Sequence, residues 1–147
     1  MRDRNDTPTP QRRWQVVFLC YGNACRSQMA EAFARQRAAD LIEARSAGVS
    51  PLGYIPPEVT IVLEEVGVPC EGQWSKSLPE AQSAGRVDLI VDLADVLSAA
   101  LDATPIRRMK VVDPFGGDLN DYRRSRDAVW ETIEPLIESL RGTEPPP

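Results

Sequence analysis

The chain has 147 residues, of which 42% are hydrophobic and 27% are charged, and these values are typical of one ordinary globular domain. Its net charge of −5 disfavours non-specific binding to nucleic acid, and no apolar run approaches the length that a membrane span needs. Histidine is absent, which excludes hydrolases that rely on a histidine base as well as most catalytic zinc sites.

The two ends of the chain differ in composition from the stretch between them. Residues 1–13 mix charges with prolines and have no apolar core, so we predict a flexible leader and not a secretion signal. Residues 142–147 are predicted to be a tail, which leaves 14–141 as a single domain. We expect a monomer that needs no metal or cofactor and has no nucleic-acid or membrane partner.

The three cysteines, Cys20, Cys25 and Cys70, have neither the spacing of a disulfide framework nor that of a zinc site. Without a secretion signal, a reducing cytoplasm is the simplest context for them. Because histidine is absent, a nucleophilic cysteine in this chain would need some other feature to ionise it.

Hydrophobic patterning predicts strands and helices in alternation. The predicted strands span residues 14–19, 41–47, 87–93 and 107–112, and the predicted helices span 29–35, 58–66, 95–101 and 122–140. Pro135 interrupts the last helical pattern and predicts a kink or a break there. This order favours a single-domain α/β fold whose parallel sheet is covered by helices on both faces, and ligands bind such sheets at the carboxyl ends of the strands.

Cys20 and Arg26 form a Cys-x5-Arg motif between the first predicted strand and the first predicted helix. In that position backbone N–H groups and the helix dipole create an anion-binding concavity, and the positive potential favours a thiolate without a partner base. Gly22 suits a tight turn, Asn23 tolerates a positive φ, and Ser27 could donate a hydrogen bond to the thiolate. The alternative is that Cys20 is only a small buried residue at a strand end.

Asp113 follows the fourth predicted strand and precedes Pro114. If a cysteine thiolate attacks a bound oxyanion ester, the reaction must protonate its leaving group and then activate water, and one carboxyl group can do both. Asp113 is the candidate for this role, although an aspartate before proline also commonly begins a turn. Tyr122 or Phe115 could form an aromatic wall of the pocket, and either could equally be a core residue.

The segment 17–31, Val-Phe-Leu-Cys-Tyr-Gly-Asn-Ala-Cys-Arg-Ser-Gln-Met-Ala-Glu, closely resembles the active-site segment of low-molecular-weight protein tyrosine phosphatases and of the thioredoxin-type arsenate reductases that share their fold. The resemblance continues at 46–48, 88–90, 113–117 and 121–122, so it covers nearly everything after the leader. It implies a four-stranded parallel sheet flanked by helices.

The resemblance also implies roles for individual residues. Cys20 would be the nucleophile, Arg26 would hold the phosphate, and Asp113 would be the general acid. The rest of the phosphate loop would be formed by Tyr21, Gly22, Asn23, Ala24, Cys25 and Ser27. Ser46, with Gln73 at a position where the family often has histidine, would support the loop asparagine. Cys25 would either form a protective disulfide with Cys20 or simply pack the loop, and Cys70 would be a packing residue.

Three functions follow from these residues. The first is hydrolysis of phosphomonoesters, such as phosphotyrosine or phosphoarginine in proteins, and the second is reduction of arsenate, the phosphate analogue. The third is a phosphate-binding module without catalysis, which the presence of Cys20, Arg26, Ser27 and Asp113 disfavours.

The choice between the two reactions depends on residues outside the loop. Gln28 and the stretch 46–53 resemble arsenate reductases, whereas 113–117 resembles bacterial phosphatases, including the arginine-phosphate type. Thioredoxin-coupled reductases need two further cysteines after the third strand, and residues 91–100 contain none. We therefore expect a phosphatase, with an arsenate reductase that uses an external thiol as the alternative. Ala24 matches neither type of phosphatase at a position that varies with substrate.

Overall fold

The structure, a computed structural model, describes residues 12–97 and 104–147. Within these ranges the strands are β1 (Trp14–Cys20), β2 (Ile42–Gly48), β3 (Leu89–Asp92) and β4 (Ile106–Arg108), and the helices are α1 (Arg26–Arg37), α2 (Pro57–Glu65), α3 (Leu78–Ser83) and α4 (Leu119–Arg141). The strands form one parallel sheet in the order β2-β1-β3-β4. The predicted single-domain α/β fold with a four-stranded parallel sheet is confirmed.

The two faces of the sheet bury different sets of side chains, because successive residues of a strand point to opposite faces. Val16 and Phe18 of β1 pack with residues of α1, α2 and α4 in the larger core. Val17 and Leu19 pack on the other face with Leu78 of α3. Helices therefore cover both faces, and β1, which lies between two neighbours, ends at the middle of the carboxyl edge.

The helix α3 was not among the predicted elements. Ser77 accepts a hydrogen bond from the backbone N–H of Glu80, whose side chain accepts one from the N–H of Ser77. This reciprocal arrangement is a capping box, and its Ser-x-x-Glu pattern is visible in the sequence. The predicted helix at 95–101 lies largely outside the described residues; residues 95–97 are not helical, and the buried Asp92 carboxylate accepts backbone hydrogen bonds from Ala94 and Leu97.

The last helix begins at Leu119, capped by Asp118, and runs to Arg141 without a break, so a break at Pro135 was the wrong alternative. Proline removes the hydrogen bond to the carbonyl four residues earlier, which belongs to Glu131. Both residues lie on the exposed face of α4, where water can solvate the freed carbonyl. Within residues 12–97 and 104–147, no helix has both the length and the apolar composition needed to cross a membrane.

Candidate active site

The candidate site lies where β1 passes into α1. Cys20 is the last residue of β1, and Arg26 is the first residue of α1, so residues 21–25 form a loop across the helix N-terminus. The segment that follows β4 brings Asp113 to the mouth of the same cavity. The structure therefore brings together the three residues that the sequence predicted to carry the chemistry, although they come from distant parts of the chain.

The turn of the loop depends on Asn23, whose φ of 46° lies in the left-handed region. Asparagine tolerates this conformation better than most residues, as the sequence indicated. Gly22 has no positive φ, and a Cβ there would meet only ordinary contacts, so its predicted role in the tight turn is wrong. The glycine that the loop requires is Gly48 at the end of β2, which pairs with Cys20 and whose Cβ would lie 2.7 Å from the Asn23 nitrogen.

A chain of hydrogen bonds runs from the loop asparagine to the nucleophile. The Cys20 Sγ lies 2.9 Å from the Ser27 Oγ, and the Asn23 Nδ2 donates to the same Oγ over 2.9 Å. The Ser27 Oγ accepts the hydrogen bond from Asn23, so the Ser27 hydroxyl can donate its own proton to the Cys20 sulfur. This hydrogen bond stabilises a thiolate. The contact that the sequence predicted between Ser27 and Cys20 is thus present.

The asparagine is itself held by residues that follow it in the chain. Its Oδ1 accepts from the Gln28 Nε2 at 2.9 Å and from the Lys76 backbone N–H at 2.8 Å. Gln28 is fully buried and also donates to the carbonyls of Asn23 and Trp74. The Gln73 Nε2 donates to the Gln28 Oε1 over 2.8 Å, so Gln73 supports the loop through Gln28.

Two residues near Asn23 add detail that the sequence prediction lacked. Ser46 was expected to support Asn23, and it does not contact Asn23 directly: its Oγ donates to the Glu31 Oε1 at 2.6 Å on α1, and Glu31 is connected to Asn23 through Lys76. Gln28 was not predicted to support the loop, although its position two residues after Arg26 could have indicated such a role. A buried amide on the first turn of a helix is costly unless it is hydrogen-bonded, and this requirement points to a partner such as the loop.

Arg26 and Asp113 face each other at the cavity. The buried guanidinium donates from Nη1 to the Val111 carbonyl at 3.0 Å, and its Nη2 lies 3.5 Å from the Asp113 Oδ2. The Nε is buried and has no hydrogen-bond partner among the described residues. An unpaired donor in this position suits an incoming oxyanion. Half of the Asp113 side chain is exposed, and its Oδ1 accepts from the Phe115 N–H.

The cavity above the loop has a volume of about 330 Å³. Its walls come from the loop, from residues 50–52 and from Asp113 and Phe115. Phe115 and Tyr21 are both half exposed and give the cavity its aromatic sides, whereas Tyr122 is buried in the core. Of the two predicted wall residues, Phe115 lines the cavity and Tyr122 does not.

The other two cysteines are buried. Burial, followed by the nearby Asp113 carboxylate, raises the pKa of Cys25 to about 12, so Cys25 is a neutral thiol near neutral pH. Cys70 packs in the larger core with its Sγ 3.5 Å from the Thr60 Oγ1, as its interpretation as a packing residue predicts. The described ranges contain no group of three or more histidine, cysteine or acidic side chains that could hold a metal ion.

The chain belongs to the family described as low molecular weight phosphotyrosine protein phosphatase, whose model matches residues 15–144. This is a family of enzymes, and the resemblance seen in the sequence is confirmed. Members of the same superfamily with other names are also similar to this chain.

An arsenate reductase of Bacillus cereus (strain Q1) is 34% identical over 128 residues, which cover 84% of this chain and 94% of the relative. A solved arsenate reductase in the phosphate-binding state is 31% identical, with a TM-score of 0.74, and covers 86% of this chain and 98% of its own. A low molecular weight protein tyrosine phosphatase from T. tengcongensis is also 31% identical, with a TM-score of 0.72 and coverage of 86% and 99%. Sequence identity to these proteins therefore does not show whether this chain catalyses hydrolysis or reduction.

Proposed function

We propose that the protein hydrolyses phosphomonoesters through a phosphocysteine at Cys20. The observation that carries the proposal is the position of Asp113, which lies at the mouth of the Cys20 cavity with its carboxylate 3.5 Å from Arg26. A carboxyl group there serves a reaction that needs an acid and a base, and simple oxyanion binding needs neither.

In the first step, the Cys20 thiolate attacks phosphorus and the bond from phosphorus to the ester oxygen breaks. The loop N–H groups and the Arg26 guanidinium stabilise the charge on the equatorial oxygens, in the manner of other preorganised anion sites. Asp113, protonated at this stage, gives its proton to the departing oxygen. The products of the step are an alcohol or phenol and the phosphorylated cysteine.

In the second step, the Asp113 carboxylate takes a proton from a water molecule as that water attacks phosphorus. The bond from phosphorus to sulfur breaks, and inorganic phosphate leaves together with a regenerated thiolate. The Ser27 hydroxyl, 2.9 Å from the Cys20 sulfur, stabilises this leaving thiolate. No histidine is needed in either step, in agreement with its absence from the chain.

We extend the proposal to phosphorylated protein side chains of the phosphotyrosine type, in the cytoplasm, with a monomeric enzyme. The aromatic sides of the cavity, Tyr21 and Phe115, support an aryl group next to the phosphate.

A second candidate is arsenate reduction with an external small thiol. It is favoured by the 34% identity to a relative named arsenate reductase. The external thiol would attack the Cys20 sulfur of an arsenocysteine, form a mixed disulfide and release arsenite, so the two thiols would supply the electrons. A relay through the protein's own cysteines is disfavoured because residues 91–100 contain no cysteine and Cys70 lies in the core.

Parallel assays on one preparation test the proposal. We expect hydrolysis of an aryl phosphate without added reductant beyond that which keeps Cys20 reduced, and no thioredoxin-coupled arsenate turnover. Cys20→Ser should abolish hydrolysis and retain phosphate binding. Asp113→Asn should slow alkyl phosphates with poor leaving groups much more than nitrophenyl phosphate, because only the former need the proton. Strong arsenate reduction with negligible hydrolysis would refute the proposal, and equal losses for both esters would remove Asp113 from its role.

A further inference from the structure

Lys76 is a buried cation next to the phosphate loop that the proposed reaction does not use. Only 8% of the residue is exposed. Its Nζ donates to the Trp74 carbonyl at 2.9 Å and lies 4.9 Å from the centre of the Trp74 ring. Lysine is rarely buried unless it is paired, so the position requires a counter-charge.

The counter-charge is Glu31, which is also buried. The Lys76 Nζ lies 3.9 Å from the Glu31 Oε1, which accepts the hydrogen bond from Ser46, and the Glu31 Oε2 lies 3.2 Å from Arg35. A buried ammonium is costly without a carboxylate nearby, so Glu31 stabilises Lys76 in this position, while Glu31 itself is also compensated by Arg35. The pair therefore fixes the segment that carries Lys76 against α1 and β2.

The backbone of Lys76 is in direct contact with the loop machinery. Its N–H donates to the Asn23 Oδ1 at 2.8 Å, and its carbonyl accepts from the Gly48 N–H at 2.9 Å. Asn23 in turn donates to the Ser27 hydroxyl that contacts the nucleophile. A displacement of the Lys76 backbone would thus reach the Cys20 sulfur through two side chains.

We propose that Lys76 is a positioning residue for the phosphate loop, whose ammonium, held by Glu31, fixes the backbone N–H that orients Asn23. The inference rests on the proposed function in one respect only, namely that the loop binds a tetrahedral oxyanion. Charge is the property that matters, since a neutral side chain of similar length would fill the space but would leave the Glu31 carboxylate with the half-exposed Arg35 in place of a buried cation.

The surroundings of Lys76 allow a chemical test of this dependence on charge. Lys76, Glu31, Arg35 and Trp74 line an open cleft of about 520 Å³. A small amine from solution can therefore reach the space that Lys76→Ala would leave. An ammonium ion bound there would restore the pair with Glu31 without restoring the side chain.

The experiment measures phosphate affinity by calorimetry, and kcat and KM for an aryl phosphate, well below the unfolding temperature of each variant. Lys76→Met should weaken phosphate binding and lower kcat/KM by about tenfold or more, since a small misplacement of a catalytic loop is costly. Lys76→Arg should keep most of both, and methylammonium should recover part of the loss in Lys76→Ala. The matched control is Lys110→Met, because Lys110 is exposed and should change neither quantity.

Glu31→Gln combined with Lys76→Met removes both charges and should be closer to wild type than Lys76→Met alone. Wild-type phosphate affinity and turnover in Lys76→Met would overturn the inference, even if its melting temperature were lower. A loss in Lys76→Ala that methylammonium does not change would also overturn it, provided that Lys76→Arg is equally impaired. Failure of the wild-type protein to bind phosphate would instead refute the proposed function, so the two failures are distinguishable.

Discussion

Replacing Gly48 by alanine tests whether the end of β2 sets the shape of the phosphate loop. The added Cβ would lie 2.7 Å from the Asn23 nitrogen, 2.8 Å from the Tyr21 carbonyl oxygen and 2.9 Å from the Gly22 carbonyl carbon. All three are backbone atoms of the loop, so no side chain can rotate away to make room. Gly48 does not have a positive φ, and conformational strain at the residue itself is therefore not the cause of the effect.

The size of the effect follows from these distances. Heavy atoms in ordinary van der Waals contact are about 3.5–4.0 Å apart, so the loop or the strand must move by roughly 1 Å. The strand is held by its pairing with Cys20 and by the hydrogen bond from the Gly48 N–H to Lys76, so most of the movement falls on the loop. Overpacking of this kind costs about 1–3 kcal/mol of stability, and a misplacement of 1 Å at a reacting group costs up to about 10²-fold in rate.

The assay compares Gly48→Ala with Gly142→Ala. Gly142 follows α4 with a φ of −96°, and a Cβ there would meet nothing within 4 Å. We expect Gly48→Ala to lose phosphate affinity and aryl phosphate turnover, whereas Gly142→Ala keeps both and its free energy of unfolding in urea changes by less than about 0.5 kcal/mol. A Gly48→Ala protein with wild-type phosphate affinity and kcat would show that the loop does not depend on the end of β2.

One labelling experiment and two variants test the loop thiols, an acid-sensitive ion pair and the buried amide. Burial raises the pKa of Cys25 to about 12, so iodoacetamide near pH 8 should label Cys20 first in peptide mass spectrometry, and equal labelling would contradict this. Arg123 holds the pKa of the Glu65 carboxyl below its ordinary value, so the stability from this pair is present above about pH 4.3 and is lost as the pH falls through the lowered value. Glu65→Gln should therefore be less stable than wild type in urea near pH 7, and the difference should shrink as the pH falls through the lowered pKa of Glu65; a constant difference would refute the linkage. Gln28→Leu should lower the free energy of unfolding in urea by about 1–3 kcal/mol and should lower kcat, because the buried carbonyls of Asn23 and Trp74 lose their donor. Unchanged stability and turnover would show that the amide is dispensable.

The parts of the site that the sequence predicts are those that depend on neighbours along the chain. A strand, a polar loop and a helix in succession place Cys20 and Arg26 on either side of one turn, whatever the rest of the fold does. Asp113 could be predicted because a residue after a strand of a parallel sheet lies at the carboxyl edge. For Cys20, Arg26 and Asp113, the order of strand, loop and helix along the chain is enough to predict where the side chain lies.

The parts that the sequence did not predict depend on strand register and on a loop without periodicity. Gly48 meets the phosphate loop only because β1 and β2 pair with Cys20 opposite Gly48. Ser46 faces Glu31 on α1 for the same reason, and a shift of one residue would turn it to the other face. Lys76 precedes α3 in a segment where neither the helical nor the strand period applies.

β4 shows how the site itself limits a strand. The pattern predicts a strand over 107–112, whereas the strand observed is Ile106–Arg108. The chain leaves the sheet before Val111, whose N–H donates to Leu93 and whose carbonyl accepts from Arg26. A carbonyl used to orient the guanidinium is not available to a longer ladder, so hydrophobic alternation overestimates the strand.

The segment 20–27 is the most recognisable part of the chain, yet it does not discriminate between the two candidate reactions. Phosphate and arsenate are both tetrahedral oxyanions, and the loop N–H groups and Arg26 would hold either in the same way. The reactions diverge only after Cys20 has attacked: a phosphocysteine needs an acid and then a base, whereas an arsenocysteine needs another thiol. Asp113 lies at the cavity, where it is placed to act as that acid and base, whereas the core position of Cys70 disfavours a relay through this cysteine and does not bear on reduction by an external thiol.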